Sequence, residues 1–173
     1  MKNQLKVVVF VFAALLLTAC NKKTKEAETS TTDTTQTAPV DQGNAIATDG
    51  AFTAADLETN SCLMKRVVYF DFDQDTLKPE YQAIVACHSK YLRDQASAKM
   101  SLEGNADERG TREYNLALGE RRGNAVLSAF VANSAPASRI TVVSYGEERP
   151  LCLDSDESCW AKNRRVEIVY TAK

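Results

Sequence analysis

The chain of 173 residues has little of what most enzymes and nucleic-acid-binding proteins depend on. Its one histidine, His88, has no third residue that would complete a nucleophile–base set with Ser144, so acid–base chemistry has few candidates. Neither the P-loop nor the dinucleotide-binding glycine spacing occurs. No polybasic face is evident and the formal net charge is -2, so nucleic acid is not an expected partner.

Long hydrophobic segments are also missing, apart from one apolar run near the N-terminus. Residues 7–17 follow two lysines and are too few to span a bilayer, but they are typical of a signal-peptide core. The run ends in Leu17-Thr18-Ala19-Cys20, which resembles the lipobox of bacterial lipoproteins. We therefore predict a signal peptide at 1–19 and acylation, such as palmitate, at Cys20; the alternative is an ordinary signal peptide with an incidental cysteine.

Removal of the predicted signal peptide leaves a chain with a formal charge of -4, because the peptide contains Lys2 and Lys6 but no acidic residue. By similarity to sorted lipoproteins, the absence of aspartate at Asn21 favours the outer membrane. Residues 20–60 have almost no periodic apolar pattern and are rich in threonine, which predicts a disordered tether after the lipidated cysteine. The folded domain is expected at 61–173.

Four further cysteines, Cys62, Cys87, Cys152 and Cys159, are an even number in a chain predicted to be exported, which favours two disulfides. Sequence alone permits three pairings. Cys152 and Cys159 lie in one polar segment, so a local loop closure there leaves Cys62 with Cys87. A zinc site that uses Cys87, His88 and the distal cysteines is the alternative, but the closely spaced ligand pairs of structural zinc sites are missing. No metal and no cofactor are expected.

Apolar periodicity predicts an α+β domain. Alternation at 67–72 places Val68, Phe70 and Phe72 on one face of a strand, and a cap at Asp75-Thr76 is expected to start the next helix. The order βαβα-β(α)β predicts helices packed on one face of a four-stranded mixed sheet. The strands are expected at 67–72, 99–104, 139–145 and 165–170, and the helices at 75–92, 111–132 and 154–161.

The stretch that carries most chemistry is the loop at 104–110 and the helix after it. Asp107 lies in a glycine-flanked loop, and the helix sets Asn115, Leu118 and Arg122 on one face because seven residues are close to two turns. A carboxylate and a guanidinium that converge in this way suit a zwitterion, with the ammonium on Asp107 and the carboxylate on Arg122. Asp73, after the first strand, is a further acceptor. Surface salt bridges are the alternative, since many other charged residues crowd the stretch.

Four motifs in order give a resemblance to a known family. The segments VYFDFD (68–73), GNADERGTREYNLALGERR (104–122), SYGEERP (144–150) and NRRVEIVY (163–170) resemble the OmpA-like peptidoglycan-binding domain, specifically in its lipid-anchored Tol-system members. The resemblance covers roughly residues 66–170. It implies a non-enzymatic domain that binds the diaminopimelate of the peptidoglycan peptide stem.

The resemblance also assigns roles to single residues. It implies that Asp107 and Arg122 are the principal ligands, that Phe72 and Asp73 contact the ligand, and that the remaining pocket positions are Asn115, Leu118 and Arg109. Arg164 and Arg165 are expected to order loops through nearby carboxylates. This chain departs from the family at Asn105, where many relatives have histidine, at Gly119, where many have serine, and in its four cysteines.

For the whole protein the resemblance implies an outer-membrane lipoprotein with its domain in the periplasm. It would hold the outer membrane to the cell wall in the Tol envelope and cell-division system, with TolB and other Tol proteins as partners. One alternative is a protein-docking module in which wall binding is secondary. Glycan cleavage by paired carboxylates is disfavoured, because a basic neighbourhood keeps both members of a pair ionised.

Overall fold

The computed structural model describes residues 50–173, so the predicted signal peptide, Cys20 and most of the predicted tether lie outside the described residues. No helix in this described part is long and apolar enough to cross a membrane. The elements are α1 (Asp56–Thr59), β1 (Val67–Tyr69), α2 (Gln82–Asp94), β2 (Lys99–Asn105), α3 (Arg112–Ala132), β3 (Ile140–Gly146), α4 (Glu157–Asn163) and β4 (Arg165–Ala172). Short 3-10 turns, Pro79–Tyr81 and Ala137–Arg139, precede α2 and β3.

The four strands form one mixed sheet in the order β1-β4-β2-β3. β2 and β3 are parallel, whereas β4 is antiparallel to both β1 and β2. Two parallel neighbours need a crossover connection, and α3 provides it. The first turn of α3 therefore begins beside the end of β2, where the candidate site lies.

The core lies between one face of the sheet and the helices, as the sequence predicted. Alternate strand residues enter it, with Leu102 and Val166 fully buried and Ile168 nearly so, while Phe130 of α3 and Leu92 of α2 cover them. Burial of this apolar surface is the main favourable contribution to folding. The α+β class, the strand count and the mixed sheet are confirmed.

Two glycines bring α3 unusually close to the sheet. A Cβ built on Gly104 would lie 1.9 Å from the carbonyl oxygen of Gly119, and one built on Gly119 would lie 2.3 Å from Ser144 Oγ. Backbone atoms cannot yield as a flexible side chain can, so neither position accepts a larger residue without a shift of α3. Gly119 is thus a packing contact between helix and sheet.

The folded part begins earlier than residue 61, so the predicted boundary of the tether is wrong. Phe52 and Leu57 are buried in the same core as the sheet residues. The backbone N–H of Phe52 also donates to Asp94 at the end of α2, at 2.8 Å. Two isolated apolar residues give no periodic pattern, which is why the sequence did not indicate them.

Two local predictions are also wrong. The first strand ends at Tyr69, and Phe72 is 55% exposed instead of sharing the inward face of Val68 and Phe70. The following helix does not start at a cap on Asp75-Thr76. The chain stays extended at Lys78 because Pro79 follows it, and helical structure starts only at Pro79.

The predicted disulfides are present as Cys62–Cys87 and Cys152–Cys159, with Cα atoms 6.4 Å and 5.1 Å apart. The zinc alternative is therefore wrong, because its thiols are used in covalent bonds. His88 lies on α2 and faces the core. It is fully buried and contacts the hydroxyl of Tyr170 at 2.7 Å and the carbonyl of Lys65 at 3.0 Å.

A charged pocket at the start of the long helix

A cavity of about 230 Å³ opens between the end of β1, the loop after β2 and the first turns of α3. Seven of the residues around it were predicted from the sequence, and the structure brings all seven together. The cavity is lined by Phe72, Asp73, Asp107, Arg109, Gly110, Tyr114, Asn115, Leu118 and Arg122. Its size suits one amino-acid-sized group, since pockets for drug-sized ligands measure roughly 300–1,000 Å³.

The loop that carries Asp107 is turned by Gly110, which has φ 121°, a value that side chains with a Cβ rarely adopt. α3 then begins with Thr111 as its N-cap, whose side chain accepts from the backbone N–H of Tyr114 at 3.2 Å. Asp107 thus precedes the helix by one short turn. This geometry places its carboxylate over the face of α3 that carries Asn115, Leu118 and Arg122.

Arg122 is a fully buried cation held by neutral groups. Its Nε, Nη1 and Nη2 donate to the backbone carbonyls of Gln74 (2.8 Å), Asn105 (2.8 Å) and Asp71 (3.2 Å). Burial lowers the pKa of Arg122 to about 10, against the opposing charge of Asp107, so the side chain is still protonated at neutral pH. Within residues 50–173 Arg122 forms no ion pair with a carboxylate. The three carbonyls use three of its five N–H groups, so two N–H groups remain without a partner.

Asp107 is buried and ionised. Its Oδ1 accepts from Arg109 Nε at 3.0 Å, and its Oδ2 accepts from Arg109 Nη2 at 2.7 Å and Arg164 Nη1 at 3.3 Å. Burial alone would raise the pKa of this carboxyl, but the hydrogen bonds from Arg109 and Arg164 outweigh it and hold the pKa below its usual value. Asp107 therefore presents a negative charge at the pocket at any physiological pH.

Arg109 is sandwiched between two aromatic rings. Its guanidinium carbon lies 4.0 Å from the ring centroid of Phe72 and 4.1 Å from that of Trp160 on α4. Hydrogen bonding to Asp107 raises the pKa of Arg109 further above its already high value. The indole N–H of Trp160 donates to Glu108 at 3.0 Å, which fixes the ring.

Arg164 orders loops through carboxylates, as expected from the sequence, whereas the carboxylate partner of Arg165 lies on its own strand, β4. Arg164 is 5% exposed and donates to the carbonyl of Phe70 at 3.1 Å and to Glu157 at 2.6 Å, in addition to Asp107. Arg165 donates to Glu167 at 2.7 Å. Neither arginine is among the residues that line the cavity.

Tyr114, Gly110 and Trp160 are the site residues that the sequence analysis missed. The hydroxyl of Tyr114 donates to Asp73, and this hydrogen bond raises the pKa of Tyr114. Asp73 itself has a left-handed backbone, φ 57°, which turns the chain after β1 toward Tyr114. The position of Tyr114 directly before Asn115 on the helix was an available indication, whereas Trp160 lies 53 positions after Asp107 and had none.

Comparisons with known proteins identify the family of the chain. The family model of the OmpA family matches residues 69–164, which include every residue that lines the cavity. The chain belongs to the OmpA family, among its peptidoglycan-associated lipoproteins. This is a non-enzymatic family, as the sequence predicted.

Two curated OmpA-family relatives show how far the similarity extends. The chain is 43% identical over 129 residues to the peptidoglycan-associated lipoprotein of Haemophilus influenzae, with 74% of this chain and 82% of that protein covered. It is 34% identical over 181 residues to the protein of that name from Legionella pneumophila, with 96% and 95% covered.

A solved OmpA-family structure has the same fold. The crystal structure of the peptidoglycan-associated lipoprotein from Burkholderia pseudomallei matches with a TM-score of 0.65 at 44% identity, covering 66% of this chain and 98% of that chain. The predicted OmpA-like architecture is thereby confirmed.

Proposed function

We propose that the pocket binds the diaminopimelate residue of the peptidoglycan peptide stem without covalent chemistry. Asp107 accepts from the ammonium group of the ligand, and Arg122 holds its carboxylate. The observation that carries the proposal is the pair of buried, opposite charges in one small cavity. A ligand with both charges on one carbon satisfies both side chains at once.

The contacts of Arg122 support an anionic ligand. A buried guanidinium whose protein partners are carbonyls keeps its full charge, and an unpaired buried charge costs several kcal/mol. A ligand carboxylate that reaches the two remaining N–H groups supplies the missing countercharge and forms charge-assisted hydrogen bonds. The three carbonyl partners meanwhile hold the guanidinium in place before the ligand arrives.

The other lining residues complete the site. Phe72 and Leu118 offer apolar surface to the methylene groups between the two ends of diaminopimelate. Asn115 is oriented by donating to Glu147. Asp73, which accepts from Tyr114, provides a second acceptor at the ammonium end.

We further propose that Cys20 is acylated and anchors the chain in the outer membrane, with the domain facing the periplasm. The lipobox-like residues 17–20 and the lipoprotein relatives support this part. The chain would then hold the outer membrane to the cell wall within the Tol system. Docking to TolB is the second activity proposed, supported by the family resemblance and by the exposed Leu151 and Leu153 in the segment before α4.

The test is co-sedimentation of the purified full chain, in mild detergent, with purified diaminopimelate-type peptidoglycan. Asp107→Ala and Arg122→Ala should each weaken binding at least about tenfold, a change of about 1.4 kcal/mol. Glu120→Ala is the matched control, because Glu120 is an exposed neighbour on α3 that does not line the cavity, and it should bind like the unmodified chain. Circular dichroism melting of every variant separates a lost contact from a lost fold.

Asp107→Asn is a second variant that keeps the shape of the side chain and removes only its charge. It should lose binding as Asp107→Ala does. Normal pelleting of both Asp107 variants would refute the zwitterion pocket and leave docking of a Tol protein as the better account of this surface.

A further inference from the structure

The hydrogen-bonding capacity of Asp107 is already used within the protein. Its Oδ1 accepts from the backbone N–H of Arg109 at 3.1 Å and from Arg109 Nε at 3.0 Å. Its Oδ2 accepts from Arg109 Nη2 at 2.7 Å and from Arg164 Nη1 at 3.3 Å. A carboxylate offers about four lone-pair sites, so a ligand ammonium must take the place of one of these donors.

Of the two guanidinium groups on Asp107, only that of Arg109 can leave at low cost. The side chain of Arg164 is 6% exposed and is also bonded to Phe70 and Glu157. The side chain of Arg109 is 30% exposed and lines the cavity, and its hydrogen bonds within residues 50–173 all go to Asp107. Displacement of Arg109 leaves no other acceptor unsatisfied.

A second position for the displaced guanidinium is also present. Glu157 Oε2 lies 3.6 Å from Arg109 Nη2, beyond hydrogen-bond distance but close enough for a small rotation to join them. The rings of Phe72 and Trp160 lie on either side of the guanidinium and can guide this rotation. Arg109 can therefore exchange one carboxylate for another while its charge remains paired.

We propose that Arg109 occupies the ammonium subsite of the empty pocket and is an internal competitor that sets the affinity threshold for ligands. This inference rests on the proposed function of the pocket. A ligand that offers only an ammonium exchanges one cation for another on Asp107 and gains little. A ligand that also places a carboxylate on Arg122 gains a new ion pair, and so it displaces Arg109.

The inference is tested by calorimetric titration of the full chain, in detergent, with two soluble stem tripeptides, one with diaminopimelate and one with lysine at the third position. Arg109→Gln should bind both peptides about fivefold more tightly than the unmodified chain, because both profit equally from the loss of the competitor. Binding of the lysine peptide should become measurable. Arg109→Lys, which keeps the cation without the planar fork, should lie between the two.

Arg112→Gln is the matched control. It removes the same charge three residues away, but Arg112 is exposed, pairs with Glu148 and does not line the cavity, so its affinity should equal that of the unmodified chain. Equal or weaker binding by Arg109→Gln, or an equal gain in the control, would overturn the inference.

Fluorescence of Trp160 gives a readout that a merely structural role of Arg109 would not move. Trp160 is the one tryptophan of the chain and does not line the cavity, so its emission reports the guanidinium stacked on it. Saturation with the diaminopimelate peptide should change the emission of the unmodified chain and leave that of Arg109→Gln nearly constant. An emission in the unmodified chain that does not respond to bound peptide would refute displacement.

The two proposals fail in different ways. If the unmodified chain binds the diaminopimelate peptide and loses it in Asp107→Ala, but Arg109→Gln gains no affinity, only the competitor is refuted. If no variant binds either peptide and Asp107→Ala still pellets with the cell wall, the proposed function of the pocket fails, and the role of Arg109 fails with it.

Discussion

Arg122 and His88 are both fully buried, yet one keeps its charge and the other does not. The carbonyls around Arg122 favour a cation, whereas burial lowers the pKa of His88 to about 4, against the opposing effect of the Lys65 carbonyl. Because that carbonyl can only accept, Nε2 of His88 carries the proton and Nδ1 accepts from the hydroxyl of Tyr170. His88 is thus a neutral hydrogen-bond bridge inside the core.

This neutral histidine predicts a specific dependence of stability on pH. The pKa of His88 is about 4 in the folded protein and near its ordinary value of 6.5 in the unfolded chain. Between these values the unfolded chain binds the extra proton, so the free energy of unfolding falls as the pH drops from 6.5 toward 4. The full loss is roughly 3 kcal/mol, and it begins at a pH well above the range in which the carboxylates titrate.

The measurement is urea unfolding of the full chain at pH 7.5, 6.5, 5.5 and 5.0. His88→Gln keeps a donor and an acceptor but cannot gain a proton, so its unfolding free energy should change much less over this interval. Because the chain has one histidine, no other imidazole can produce the slope. Equal slopes for the two proteins would show that His88 does not titrate on unfolding.

At the level of residues, the sequence indicated the charges of the site better than their partners. The spacing of Asn115, Leu118 and Arg122 follows from helix geometry, so their shared face was predictable. The sandwich of Arg109 between Phe72 and Trp160 was not, because it joins three separate elements. Such contacts depend on tertiary packing, which local periodicity does not contain.

The helices and strands, too, were predictable where a local pattern specifies them and were missed where tertiary packing does. The strands at 99–104 and 165–170 were predictable because alternation of apolar residues extends over most of their length, and β2 and β4 agree within two residues. β1 has only three residues, and its hydrophobic pattern continues into a segment that leaves the sheet. Residues 50–60 were missed because they contribute two side chains to the core, Phe52 and Leu57, and two side chains are too few to give a periodic pattern.

The two disulfides hold different elements and should affect different properties. Cys62–Cys87 joins the segment after α1 to α2 across 25 positions, and Cys152–Cys159 closes a local loop of seven positions at α4. Loop-closure entropy predicts stabilisation of about 3.5 kcal/mol for the first and about 2.5 kcal/mol for the second. α4 also carries Glu157 and Trp160, which contact Arg109.

We therefore expect the Cys62→Ala/Cys87→Ala variant to be the less stable of the two in urea unfolding, with unchanged emission of Trp160. The Cys152→Ala/Cys159→Ala variant should lose less stability but shift the emission of Trp160, because α4 is less constrained. Each double variant is the control for the other, since both replace two cysteines by alanine. An unaltered Trp160 emission in the second variant would show that the disulfide does not restrain α4 at the pocket.

For the whole molecule, the predicted attachments lie far apart in the chain. The pocket is built by residues 72–122 of the folded domain, whereas Cys20 precedes the described part of the chain by 29 residues. A segment of that length spans at most about 100 Å when fully extended. For one molecule to hold both, the cell wall must therefore lie within this distance of the membrane plus the width of the folded domain.

Because no pocket residue lies near Cys20 in sequence, the two attachments should be separable by mutation. Cys20→Ser should move the chain out of the membrane fraction of fractionated cells and leave its binding to purified peptidoglycan unchanged, because the acyl chains supply the membrane affinity. Asp107→Ala should stay with the membrane and lose the wall, and the double variant should lose both. Retention of Cys20→Ser in the membrane fraction, with the wall removed by digestion, would contradict a lipid anchor at this cysteine.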